Sequence, residues 1–255
     1  MPEVAYALIR TLNQEDANIT TIRQVISKDP ALTATLMRMA NSAIFGLSRS
    51  VDTLDNAISV VGLSQIRARA LSICMAHVFE MPAGLSRLDF WRSSMVCAGY
   101  ARWLAGSIPM DEQQAWLTGM MSRLGELIMA QHSPELLVQV ERIPRAPGER
   151  WTRERALTGF DECQITAEMA RRWDFPDALT LALDACAQPL LTAPFSRLGG
   201  VVHLATLLAD TPSVTVQTLE ALPADLVGAL QLDLELLKTS MPDAHSLGDT
   251  SMLYV

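Results

Sequence analysis

The sequence predicts an all-α protein, a multi-helix bundle, and three observations carry that expectation. Apolar residues recur at spacings of three and four through most of the 255 residues. Acidic or hydroxyl residues stand where helices should begin, and glycine where one should end. No run of alternating β-branched residues suggests a strand. With 49% hydrophobic residues the chain can bury a large core, and with 5% aromatics that core must be mainly aliphatic.

Taken in order, Val4, Leu8, Ile9 and Leu12 form one stripe, and Ile22, Val25 and Ile26 a second. In "KDPALTATLMRMANSA", Asp29 can cap a helix, Pro30 suits its first position, and Leu32, Leu36, Met39 and Ala40 share a face. Leu54, Ala57, Ile58 and Val61 make a short helix ending at Gly62. Ser64 opens the next, with Ile66, Ala70, Ile73, Cys74 and His77 in register. After the break at "EMPAGLSRLD", a long helix carries Phe90, Ser94, Cys97, Ala98, Ala101 and Leu104. "MDEQQAWLTGMMSRLGELIMAQH" reads as one further helix, and "ECQITAEMARRW", "FPDALTLALDAC" and "SRLGGVVHLATLLAD" as three more. The expected organisation is one domain over 1–240, with N-terminal helices to about 84, a bundle over 85–240 and a tail over 241–255.

The net charge of −8 and pI near 5.0 disfavour sequence-independent nucleic-acid binding. No apolar run approaches the ~20 residues that span a bilayer, and the N-terminus lacks the pattern of a signal peptide, so a cytoplasmic protein without membrane contact is expected. Cys74, Cys97, Cys163 and Cys186 are scattered among apolar neighbours and read as buried free thiols. His77, His132, His203 and His245 form no metal-binding spacing. The methionines (13) at helical spacings read as core filler. Arg38, Arg49, Arg67 and Arg69 read as a solvated helix face rather than a basic patch. "ERIPRAPGERWTRER", with Arg142, Arg145, Arg150, Arg153 and Arg155 around Trp151, reads as a solvent-exposed connector, with a partner-docking loop as the alternative.

"ISKDPALTATLMRMANSAIFG" followed by "AISVVGLSQIRARAL" resembles the N-terminal half of the HDOD family of bacterial signalling domains. Ile26, Asp29, Pro30, Leu32, Leu36, Ala40, Asn41, Ser42, Ala43 and Gly46 fit its pattern, and Trp91, Gly119–Gly125, Trp173 and Pro176 match later landmarks. The Asn41-Ser42-Ala43 stretch reads as a helix cap and turn, with asparagine tolerating a left-handed backbone. The resemblance implies an HD-like bundle related to metal-dependent phosphohydrolases, whose histidines and aspartates hold metal ions that activate water.

Residue by residue, that ligand set is missing. Ser93 in "WRSS" stands where the family often has a histidine. In "GMMSRLG", Ser122 and Arg123 replace a histidine and an aspartate. Glu162 in "GFDE" replaces another histidine, Cys186 and Ala187 a histidine pair, and Thr206 a late aspartate. Glu162 alone could ligate a hard cation and Arg123 would repel it, so no metal, no cofactor and no catalytic residue is expected. A buried arginine needs a counter-charge, which predicts an Arg123–Glu162 ion pair within ~4 Å in the old metal space. The functional expectation is a non-enzymatic regulatory module acting through contacts with signalling proteins. Self-association, a nucleotide or small-ligand sensor in the degenerate site, and a residual phosphohydrolase are the alternatives.

Overall fold

A computed structural model describes residues 3–14, 18–42, 50–142 and 146–253. Among the described residues the structure is helical, without strands, as the periodicity requires. It divides into two compact units, the first comprising residues 1–80, 173–176 and 250–255, the second 81–172 and 177–249.

The first unit contains α1 (Glu3–Leu12), α2 (Ile19–Ile26), α3 (Pro30–Ala40), α4 (Leu54–Val61) and α5 (Leu63–Val78). Leu8 and Ile9 of α1, Ile22 and Ile26 of α2, and Leu36 of α3 are fully buried, so each apolar stripe faces a common core. Asp29 caps α3 by accepting from Leu32 N at 3.0 Å, with Pro30 in the first turn. Gly62, at φ +95°, separates α4 from α5, which bend by 113° there, a backbone conformation that other residues adopt at a cost. Phe79 meets Trp173 at 6.0 Å between ring centroids, and Asn13 Nδ2 donates to Asp174 O at 2.7 Å. Residues 173–176 therefore belong with helices nearly a hundred positions earlier, a return that no local pattern announces.

The second unit holds α6 (Arg87–Gly106), α7 (Glu112–Met121), α8 (Leu124–His132), α9 (Pro134–Val140), α10 (Glu149–Thr158) and α11 (Glu162–Arg172). It continues with α12 (Asp177–Ala185), a 3₁₀ turn at Pro189–Leu191, α13 (Arg197–Ala209), α14 (Val216–Glu220), α15 (Ala224–Leu230), α16 (Leu234–Ser240) and α17 (Ala244–Leu247). The long helix α6 packs against α7 and α13, and α11 packs against α12 and α8. Tyr100, Leu104, Val201, Leu204 and Leu208 lie in their shared core.

Three local expectations are corrected. The stretch read as one helix over 110–132 is two, interrupted at Ser122 and Arg123 between α7 and α8. The stretch read as an exposed connector contains α10, whose Arg150, Trp151 and Glu154 are buried. The stretch 241–255, read as a tail, contains α17, packed on α6, and a 3₁₀ turn at Ser251–Leu253, packed on α3 and α5. No single helix among the described residues is long and apolar enough to cross a membrane.

Candidate functional site

The site forms where α8, α10 and α11 of the second unit converge. At the break between α7 and α8, α8 crosses α11 so closely that a Cβ on Gly125 would collide with the Glu162 carbonyl oxygen. Only glycine permits that approach. The Thr166 hydroxyl fastens the crossing, donating to Glu162 O at 2.8 Å and accepting from Gly125 N at 2.7 Å. The kink carries Arg123 into the interior.

Arg123 is 8% exposed. Its Nη2 and Nε donate to Glu126 Oε2 at 2.5 and 3.1 Å, and its Nη1 donates to Ser93 Oγ at 2.7 Å. The guanidinium lies over the Phe90 ring, 5.6 Å from its centroid, and approaches Glu141 at 3.8 Å. Glu162 Oε2 is 3.9 Å from Arg123 Nε. The two expected partners thus come within ion-pair range, but each has a much closer partner elsewhere.

For Glu162 that partner is Arg150. Its Nη2 and Nε donate to Glu162 Oε1 at 2.6 and 3.1 Å, and the indole Nε1 of Trp151 donates to the same oxygen at 3.1 Å. Arg150 Nη1 reaches Asp210 Oδ1 at 3.3 Å, while Asp210 Oδ2 accepts from Gly148 N at 3.0 Å. Glu154, fully buried one turn after Arg150, accepts from Glu162 N at 2.8 Å through Oε2. Burial alone pulls the Arg150 guanidinium down, but Glu162, Asp210 and Glu126 outweigh it and hold it well above its ordinary range. Burial and the Arg150 charge lower Arg123, and Glu126, Glu162 and Glu141 more than restore it. Both guanidinium groups stay charged in the interior because the carboxylates are there.

The other replaced ligand positions go elsewhere. Ser122 and Thr206 flank the Cys97 sulfur, at 3.8 and 3.5 Å between side-chain atoms. Cys186 is buried beside Cys163, and its carbonyl oxygen meets His203 Nδ1 at 2.7 Å. Ala187 lies in the apolar core. Burial pushes the Cys97 thiol up to about 12 and lowers the His203 imidazole below its ordinary value. Among the described residues no group of three or more histidine, cysteine, aspartate or glutamate side chains is arranged to hold a metal ion. The donor set does not fit the two-metal chemistry of a phosphohydrolase. Arg123 and Arg150 place two fixed positive charges beside Glu162, whose Oε1 already accepts three hydrogen bonds.

Sequence reasoning located Ser93, Arg123 and Glu162 but missed Glu126, Arg150, Glu154 and Asp210. The available signal was Arg150 and Glu154 at i and i+4, with Trp151 between them in a charged helix. The high charge of "ERWTRERALT" argued for exposure and hid it.

A family model for the HDOD domain matches residues 1–189. The chain belongs to the HDOD domain family. Among curated proteins, this HDOD chain is 23% identical over 183 residues to an uncharacterised protein of Treponema pallidum (strain Nichols), covering 69% of the chain and 35% of that relative. The chain thus spans about a third of the length of the curated relative it matches. Its fold is similar to a solved candidate phosphohydrolase of Shewanella amazonensis SB2B, at TM-score 0.81 and 23% identity over 100% of this chain and 94% of that one. It is similar also to a candidate signal transduction protein of Marinobacter aquaeolei VT8, at TM-score 0.78 and 22% identity over 99% of this chain and 59% of that one.

The HDOD motif itself lies in the first unit. Asn41 ends α3 with φ −86°, not in the left-handed conformation expected. Its amide bridges the chain instead, with Nδ2 donating to Val51 O at 2.8 Å and Oδ1 accepting from Val51 N at 2.7 Å. The asparagine thus closes the loop between α3 and α4 as a paired strand residue would. Ser42 is half-buried next to it, while Ala43, Gly46 and Arg49 lie outside the described residues, as does Arg145. Arg67 donates to Thr11 O at 2.9 Å and Arg69 is buried, so these two do not sit on a solvated face, whereas Arg38 is exposed.

Proposed function

We propose that this HDOD domain is a non-catalytic regulatory module of bacterial signal transduction, acting through contacts with other proteins. One observation carries the reading: Arg123, at a position where the family resemblance calls for a metal ligand, and Arg150 beside it are buried and each bonded to carboxylates. A metal-activated water requires several anionic or neutral donors converging on a cation. Here the local positive charge is fixed, and the donors point at it.

The same observation disfavours the sensor alternative. A nucleotide phosphate would need free guanidinium donors. Both arginines are nine-tenths buried or more, with their short hydrogen bonds already directed to Glu126, Ser93, Glu162 and Asp210. The family assignment, and the name of the Marinobacter aquaeolei relative, support signalling as the setting.

Two measurements test the reading. The purified chain is incubated with bis-p-nitrophenyl phosphate and added Mn²⁺ or Mg²⁺, with no turnover expected. Hydrolysis that co-purifies with the chain through two orthogonal columns overturns it. A thermal-shift panel of nucleotides should leave Tm unchanged, since a ligand that binds only the native state must raise it. A saturable rise would move the function to ligand sensing.

A further inference from the structure

The buried cluster holds more carboxyl groups than guanidinium groups. Arg123 and Arg150 face Glu126, Glu154, Glu162 and Asp210, with Glu141 at the rim. Among the described residues, Glu126 Oε1, Glu154 Oε1 and Glu162 Oε2 are buried without a hydrogen-bond partner. A carboxylate oxygen in such a place either finds a proton or a cation, or it destabilises the fold.

Glu154 stands apart from the others. Glu126, Glu162 and Asp210 each receive at least one guanidinium hydrogen bond. Among the described residues, Glu154 receives only a backbone amide, and its nearest cation is Arg150 Nε at 3.9 Å, whose hydrogen is directed at Glu162. Its side chain also lines a small cavity, together with Glu126, Met129, Leu136, Leu137 and Val140. About 10 Å³ of that cavity is open to the centre of a water molecule, room for about one. A cation there would meet two carboxyl groups among aliphatic walls, where hard cations take about six oxygen ligands. A proton needs only one oxygen, and Glu154 Oε1 is buried with no hydrogen-bond partner among the described residues.

We propose that Glu154 is a neutral carboxylic acid in the folded protein at neutral pH, and that its proton makes the corner formed by α8, α9 and α10 sensitive to alkaline pH. The groups around it agree. Burial and the Glu162 charge push the Glu154 carboxyl up to about 9, with Arg150 opposing. The charged groups that face it are Arg123 and Glu126 from α8, Glu141 from the end of α9, Arg150 from its own helix, Glu162 from α11 and Asp210 from the end of α13. An unfolded glutamate titrates near ~4.3, so between there and about 9 the folded state holds one more proton than the unfolded state. Stability from this group is therefore complete at low pH and is lost as pH rises through that window.

The test is urea unfolding of the full chain from pH 6 to pH 10, for the wild type and Glu154→Gln. Glutamine keeps the shape of the neutral acid without its titration. The ratio of the two unfolding constants should change by about tenfold per pH unit between pH 6 and pH 8, with the wild type losing ground. A ratio constant across that range overturns the proposal. If Glu154→Gln does not fold, infrared spectroscopy of the wild type decides: a protonated-carboxyl carbonyl band should be present at pH 7 and lost by pH 10, and its absence at pH 7 overturns the proposal. Exchange of Na⁺ for K⁺ or choline at constant ionic strength should leave stability unchanged, and a dependence on cation identity would replace the proton with a bound cation.

Discussion

Arg123 and Arg150 reach the same buried cluster by opposite routes. Arg123 comes from an apolar stretch in which any charge is conspicuous, and it ends at the edge of the cluster against Ser93, Phe90 and the half-buried Glu141. Arg150 comes from a stretch so charged that it reads as surface, yet it is 1% exposed, bonded to Glu162 and Asp210. The difference teaches that charge density along a chain says little about burial when opposite charges meet in space. An ion pair carries its own counter-charge inward, provided the remaining hydrogen bonds are satisfied.

The largest expected effect comes from Arg150→Met. It strands Glu162 and Asp210 without their cation and should cost about 3–5 kcal/mol in urea unfolding, the usual cost of breaking a buried pair. A loss under ~1 kcal/mol would show that Arg150 does not organise the cluster. Arg123→Met should cost less, about 2 kcal/mol, because Glu141 opens that edge to solvent and only Glu126 loses a short charged hydrogen bond. Equal losses for the two variants would erase the distinction between centre and edge. Combining Arg123→Met with Glu126→Leu should recover most of the loss, since removing both partners of a buried pair is often nearly neutral. In the first unit, Asn41→Ala should cost about 1–3 kcal/mol by stranding the Val51 backbone. The smallest effect belongs to the exposed Arg23–Asp55 pair at 3.0 Å, where Asp55→Asn should cost at most about 0.5 kcal/mol.

The thiols give a parallel contrast. Cys97 and Cys163 are fully buried, and burial raises both thiols well above their ordinary value, Cys97 to about 12. They should resist iodoacetamide at pH 8 in the native protein and react only on unfolding, as mass spectrometry would show. Rapid native alkylation of either would require an opening of α6 or α11 that the packing does not suggest.

Much of the architecture was legible because helix formation is local. The stripes Leu8–Ile9 and Ile22–Ile26, the Asp29–Pro30 start and the Gly62 stop each involve residues within a turn or two of one another. The break at Ser122–Arg123 was not legible, since no glycine or proline stands at the break itself and the close approach just beyond it, of Gly125 to a carbonyl of α11, is a tertiary contact. The burial of α10 was not legible either, because its apolar content is low and its stabilising partners lie on α11 and at the end of α13.

The sequence by itself determined that the chain is helical and that it carries the HDOD pattern from Asp29 to Ser42. Only the tertiary structure decided who pairs with whom. Glu162 lies within reach of both arginines, and it takes Arg150 because two guanidinium nitrogens and the Trp151 indole converge on one oxygen there. Arg123 is left to Glu126, three residues on in the first turn of α8. Residue spacing fixes which side chains share a helix face, but the choice among several buried carboxylates depends on distances of a few ångströms set by the helix crossings.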